Sequence, residues 1–253
     1  MEPLNADPSA RCTRFCILTT GRTGSTRLRL LLDSHPLVRC HGELFGENLS
    51  TLAAPGSDAH QALLAERAAD PAAFLARAFE PGGARAAGFK LLYGQLLNRW
   101  PGLLDLLQAD RSVRIVHLVR RNGIKRFLSE YFVGTVTGRH LCPRDEEPPA
   151  VGPVTIPVAA LLADLEAVPV QAARIRDLFR EHPFHEIAYE DSLDDDGPAM
   201  RAVQAFLDVP PAPLSAGIRK ILPDDPRLLI ANFAEVAAAV RGTPFEPWLG
   251  ERP

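Results

Sequence analysis

The run Gly21-Arg22-Thr23-Gly24-Ser25-Thr26 is the sharpest anion-binding motif in the chain. Two glycines allow a tight turn in which several backbone N–H groups converge on one anion. Ser25 and Thr26 add hydroxyl donors, and Arg22 adds a permanent charge with forked donors. A compact apolar run, RFCILTT (14–20), precedes the motif, and RLRLLLDSH (27–35), helical in character and closed by Pro36, follows it. A helix starting there adds the positive end of its dipole. The motif therefore reads as a phosphate cradle; the plainer reading is a strand-to-helix turn that happens to be rich in Gly, Ser and Thr.

A second group closes the Val- and Ile-rich run VRIVHLVR (113–120): Arg120-Arg121-Asn122, with Ser129 eight residues after Arg121. A strand end followed by two helical turns brings an arginine and a hydroxyl close enough to grip one phosphate. Lys125 and Arg126 add positive potential nearby, although a solvated basic helix start is the competing explanation. Together the two groups imply a ligand with two separated phosphate-like groups. A Walker A loop does not fit, because Ser25 stands where its lysine belongs and Thr19 where its first glycine belongs. The run IVHLV also ends in arginine, not in the aspartate that supports Mg²⁺ in nucleotide-hydrolysing folds.

At these residues the chain resembles the sulfotransferase superfamily, and within it the bacterial carbohydrate and small-molecule branch. Arg22-Thr23-Gly24-Ser25-Thr26 matches the superfamily's 5′-phosphosulfate loop, [KR]-[ST]-G-[ST]-[ST], at every position. Arg121, Asn122 and Ser129 match its 3′-phosphate signature. GFKLLY, AYEDSL and the tail ANFAEVAAAVRGTPFEPWL carry a weaker likeness, with Asn232 the residue to note in the tail. The resemblance implies a P-loop-like three-layer fold with a central parallel sheet, 3′-phosphoadenosine 5′-phosphosulfate (PAPS) as donor, and no metal. Arg22 stands where many cytosolic aryl sulfotransferases have lysine, and would stabilise the bridging oxygen as the phosphate leaves.

Sulfuryl transfer by in-line displacement needs a base for the acceptor hydroxyl proton. The segment after the first helix supplies His41-Gly42-Glu43. The resemblance implies a glutamate base at Glu43; a partly desolvated carboxylate would suit the task. His41 is the alternative, with an unperturbed pKa closer to neutrality, and a surface-loop carboxylate is the third reading. Lys90, in GFKLLY, either holds the transferring group or an acceptor oxygen, or is an exposed lysine at a strand edge. His117 reads as a hydrogen-bonded core histidine, His35 as a helix-end residue, and Tyr189-Glu190-Asp191 as a tie into the fold.

The elements that must position these residues follow from the rest of the chain. Of 253 residues, 46 % are hydrophobic and 23 % charged, which suits one α/β domain spanning 1–253. The net charge of −3 argues against nucleic acid or an anionic membrane as partner. The polar lead (1–13) is expected to be flexible; it holds no secretion signal, and no run is long enough to span a bilayer, so a cytoplasmic protein is expected. Cys12, Cys16, Cys40 and Cys142 have no zinc-site spacing and read as free thiols.

Within 48–84 one helix is expected, 70–80, with Asp70 as N-cap and Pro71 at its first position. A strand (86–94), a helix (100–109), the strand 113–120 and a helix (121–134) follow. Residues 135–157 read as a mobile lid or acceptor loop. A helical block (158–182) that Pro169 kinks or splits, a strand (184–191) and helices at 197–209 and 227–240 complete the chain. The β-α-β-α order argues for a parallel sheet flanked by helices.

The resemblance implies a small-molecule hydroxyl as acceptor. Glu43 and the branch resemblance favour a sugar, a secondary metabolite fits almost as well, and 7 % aromatic content disfavours an aryl-stacking pocket. A homodimer is suggested by the branch alone. Two other classes stay open: a nucleotide kinase of P-loop type, and a non-catalytic protein that binds 3′-phosphoadenosine 5′-phosphate (PAP).

Overall fold

A computed structural model describes residues 12–47, 49 and 51–250. All but the last two residues of the expected flexible lead lie outside the described residues. The chain divides into two compact units. The first holds the chain up to Thr20, Gly24–Val119 and Ile175–Ala216; the second holds Gly21–Thr23, Arg120–Arg174 and the chain from Gly217 onward.

The first unit is built on five strands: β1 (Thr13–Thr19), β2 (Val38–Glu43), β3 (Ala86–Leu92), β4 (Arg114–Val119) and, late in the chain, β6 (Phe184–Ala188). They pair in the order β2-β3-β1-β4-β6, and every pairing is parallel. β1 lies at the centre, with Phe15, Cys16, Ile17 and Leu18 completely buried. A parallel sheet covered on both faces calls for such an unbroken apolar run. The helix α1 (Ser25–Asp33) returns the chain from β1 to β2 and buries Leu28, Leu31 and Leu32. The expected α/β class, a central parallel sheet flanked by helices, is what the chain adopts.

Between β2 and β3 lie two helices, α2 (Asp58–Ala69) and α3 (Pro71–Ala78). Asp70 caps α3 as expected, accepting from the Ala73 N–H at 2.9 Å. The sequence reading missed α2, for a physical reason: of its residues only His60 and Arg67 are buried, so it shows no apolar stripe. Ser57 caps it, accepting from the His60 N–H at 3.2 Å. The unit continues with α4 (Pro101–Ala109) and α7 (Pro198–Phe206).

The second unit gathers α5 (Gly123–Phe132), a short antiparallel pair between β5 (Cys142–Pro143) and β7 (Ile218–Arg219), and α8 (Phe233–Val240). Its core includes Phe127, Phe132, Leu161, Ile230 and Val236. The C-terminal helix starts six residues later than expected. The apolar run before it is used in pairing instead: Ile230 bridges Val154, and the Asn232 side chain both accepts from Ile156 N and donates to Ile156 O. The same contacts secure the end of the 135–157 stretch.

The helix α6 (Val158–Leu178) runs unbroken through Pro169, so the expected split does not occur. Pro169 and Val170 are exposed, so the proline ring stands at the surface and not in the core. All four cysteines are free thiols. Among the described residues, no helix is long and apolar enough to cross a membrane.

Candidate active site

In the first unit, Gly24 takes the N-cap position of α1 with φ of 83°, in the left-handed region. Glycine is needed there twice over, because a Cβ on Gly24 would also run into the Tyr189 ring. Tyr189, which the sequence reading treated as a structural tie, therefore packs directly on the loop. Ser25 is buried one residue further on.

Thr26 connects this loop to the sheet. Its Oγ1 accepts from Lys90 Nζ at 3.2 Å, and Lys90 Nζ pairs with Glu43 Oε1 at 2.8 Å. The other carboxylate oxygen, Oε2, accepts from Gln95 Nε2 at 2.7 Å. Lys90 is 6 % exposed, which corrects the reading of it as an exposed lysine at a strand edge. A buried ammonium needs such partners, since desolvation without them would cost several kcal/mol, of the order of 3–5 when one partner of a buried pair is removed.

The β2–β3 register decides how the two candidate bases stand. His41 pairs with Phe89 and Glu43 with Lys90, so two residues of β2 advance while β3 advances by one. This is a bulge at Gly42, whose N–H goes to Thr51 Oγ1 at 3.2 Å. Consecutive residues of β3 point to opposite faces. The register therefore assigns His41 and Glu43 to opposite faces, with Glu43 on the side of Lys90. Burial, aided by the charge of Arg39, holds the His41 imidazole below its ordinary pKa.

The turn after Glu43 is held from several sides. Arg67 donates to Leu44 O at 2.7 Å and to Gly46 O at 2.5 Å, and its guanidinium lies 5.1 Å from the Trp100 ring centroid. Trp100 donates its indole N–H to Phe45 O at 3.0 Å. The Phe45 ring itself packs against Phe74, Phe89 and Trp100.

In the second unit, Arg22 has φ of 61°, unusual for a residue with a side chain. Its Nε donates to Ser129 Oγ at 3.1 Å and its Nη2 to His140 O at 3.2 Å. Burial lowers its pKa, and nearby Glu130 opposes that shift. Arg120 donates to Arg22 O at 3.1 Å and Arg126 to Gly21 O at 3.2 Å. Arg126 is also ion-paired with Asp164. Lys125 and Arg126 are both buried, so the basic helix start is not the solvated patch that the plainer sequence reading allowed.

Asn122 caps α5, accepting from Lys125 N at 2.9 Å, and donates to Trp248 O at 2.9 Å. Arg121 is exposed and Thr23 buried. Ser129, two turns into α5, meets Arg22. The two sequence motifs are thus joined by a direct side-chain bond. His117 is fully buried between Tyr93 (2.5 Å) and Glu186 (2.8 Å), as a core histidine.

Residues 15–213 match the sulfotransferase family. The chain is a member of that family. This sulfotransferase is 28 % identical over 199 residues to Nodulation protein H of Rhizobium meliloti (strain 1021), covering 78 % of this chain and 77 % of that one. It is 27 % identical over 235 residues to Nodulation protein H of Rhizobium tropici, covering 91 % and 90 %. Among solved structures, a sulfotransferase from Alicyclobacillus acidocaldarius superposes with a TM-score of 0.51 at 18 % identity, covering 94 % of this chain and 99 % of that one. That likeness supports the fold.

Three residues that touch the candidate site residues, or the turn after one of them, were not found by sequence reasoning: Gln95, Arg67 and His140. Each is a polar residue outside any motif, and only the folded arrangement brings it to Glu43, to the turn after it, or to Arg22.

Proposed function

We propose that this sulfotransferase moves a sulfuryl group from PAPS to a hydroxyl of a small carbohydrate-like or secondary-metabolite acceptor, with Glu43 as general base. The observation that carries this reading is the chain of contacts Thr26–Lys90–Glu43, which ties the donor loop to a carboxylate through one buried ammonium. The loop residues suit an anionic donor. Left-handed backbone at Arg22 and Gly24 is the geometry in which successive N–H groups of a turn can converge on one anion, and the hydroxyls of Ser25 and Thr26 follow directly.

Arg22, Thr23, Gly24, Ser25 and Thr26 would hold the 5′ side of the donor, and Arg121 and Ser129 its 3′-phosphate. When bound, the donor supplies a sulfuryl group joined to phosphate, with PAP as the leaving group. Glu43 takes the acceptor hydroxyl proton as the new oxygen–sulfur bond forms and the sulfur–phosphate-oxygen bond breaks. Lys90 holds a fixed positive charge beside Thr26, where negative charge grows on the departing phosphate. The register that sets Glu43 beside Lys90, and His41 on the other face, favours Glu43 as the base.

Calorimetric titration with PAP, and then with ATP plus Mg²⁺, tests the donor class. Tight binding of PAP with little binding of ATP supports PAPS as donor. Preference for ATP would move the chain to phosphoryl transfer and remove the role of Glu43. Binding of neither would mean that residues 21–26 are an ordinary strand-to-helix turn.

A further inference from the structure

Within the reading of Glu43 as base, we propose that Gln95 is the positioning residue that aims its carboxylate. A glutamate side chain rotates easily about its last torsion, which has broad, two-fold preferences. Lys90 alone cannot fix that rotation, because an ammonium is a compact charge with freely turning donors. Gln95 supplies the missing direction. Its Nε2 donates to Glu43 Oε2 at 2.7 Å, while its Oε1 accepts from the Leu92 backbone N–H at 3.1 Å. An amide with a donor on one side and a carboxylate on the other has one satisfied orientation.

Two further features are built around this contact. A Cβ on Gly46 would lie 3.0 Å from Gln95 Nε2 and 3.2 Å from Glu43 Oε2, so the absence of a side chain at 46 lets the two groups meet. Gln95 also opens a π-helical turn, Gln95–Arg99, closed by Trp100 N donating to Gln95 O at 2.9 Å. Such wide turns are rare and recur at functional sites. The same turn presents the Trp100 indole to Phe45 O, so one local irregularity sets both the amide and the backbone that follows the base. With Lys90 on Oε1 and Gln95 on Oε2, each oxygen keeps a further lone-pair position for the acceptor hydroxyl. Gln95 takes no proton; it holds Glu43 in the orientation that does.

A double-mutant cycle tests this. The parent, Gln95→Met, Glu43→Gln and the double variant are compared for transfer from radiolabelled PAPS to methyl glycosides, with sulfate release to water measured in parallel. Gln95→Met should lower kcat about 10-fold, the scale of a misaimed catalytic group. KM for the glycoside and PAP affinity by calorimetry should stay within about 2-fold. In the Glu43→Gln background Gln95→Met should cost nothing further, since there is no base to aim. An equal loss in both backgrounds would mean that Gln95 only supports the fold, and full activity of Gln95→Met beside an impaired Glu43→Gln would remove its role. Full activity of Glu43→Gln would instead overturn Glu43 as base, and this role with it. If Gln95→Met does not fold, Gly46→Ala crowds the same contact and is read through the same cycle.

Discussion

Arg22 keeps a left-handed backbone that costs a residue with a side chain about 1–3 kcal/mol. Arg120 and Arg126 hold it there by binding the carbonyls of residues 22 and 21, and its own guanidinium reaches Ser129. The motif stood out in the sequence through its residue types, two glycines with arginine and hydroxyl side chains between a strand and a helix. Arg121 is the residue on which the 3′-phosphate assignment turns. Arg121→Ala should weaken PAP binding by about 1.5–3 kcal/mol, as for a lost charge-assisted hydrogen bond. Adenosine 5′-phosphosulfate, which lacks the 3′-phosphate, should bind as before; calorimetry with both ligands checks this, and equal losses would remove Arg121 from the site. Glu43 was singled out only through the family resemblance, and Lys90 stood open between a site residue and an exposed strand-edge lysine until its burial removed the second reading. Gln95 was not legible, because a neutral amide outside any motif has neither charge nor spacing to reveal it.

The strands β1, β3 and β4 were legible to within a few residues because parallel strands buried on both faces must be apolar throughout, whereas the two-residue strands β5 and β7 carry no such run. Helices were legible only where their apolar stripe was strong. α2 hides because its buried residues are a histidine and an arginine, and α8 begins late because Ile230 and Asn232 pair with 154–156 before the helix starts. Pro169 misled in the opposite direction. A helix tolerates it on an exposed side, but the bond to Leu165 O is still missing. Pro169→Ala should restore that bond and stabilise the protein by about 1–2 kcal/mol after the added freedom of the unfolded chain is subtracted. Urea denaturation measures it, and an unchanged midpoint would show that α6 already relieves the strain.

For the molecule as a whole, the neutral histidines tie stability to pH. Burial lowers the pKa of His117, against the opposing pull of Glu186, and burial likewise lowers His41 and His185. The unfolded chain therefore binds protons more readily than the folded one just below the ordinary histidine range of about 6.5. Stability should fall as pH drops through that range. Glu186 acts lower still: burial alone would raise its pKa, but hydrogen bonds from Arg176 and His117 outweigh this, so its contribution is lost only on strong acidification. Urea titrations from about pH 7.5 to about pH 5.5 should show unfolding free energy declining. His117→Gln should flatten the slope, and an unaltered slope would acquit His117. The parallel sheet was legible from the β-α-β-α order, whereas the division into two units was not, because the second unit is assembled from three separated stretches of chain.

The extra residue at Gly42 acts as a correction of parity. Counting along β2 in twos puts His41 and Glu43 together; counting along the partner strand puts them apart, since Gly42 is skipped in the pairing. The same carboxylate would keep its side if position 42 were deleted, and would change sides if a residue were added without a matching skip. Which face of the sheet a carboxylate at this place takes is therefore a matter of odd or even spacing along the strand, and a glutamate one step out of phase would stand on the face away from Lys90.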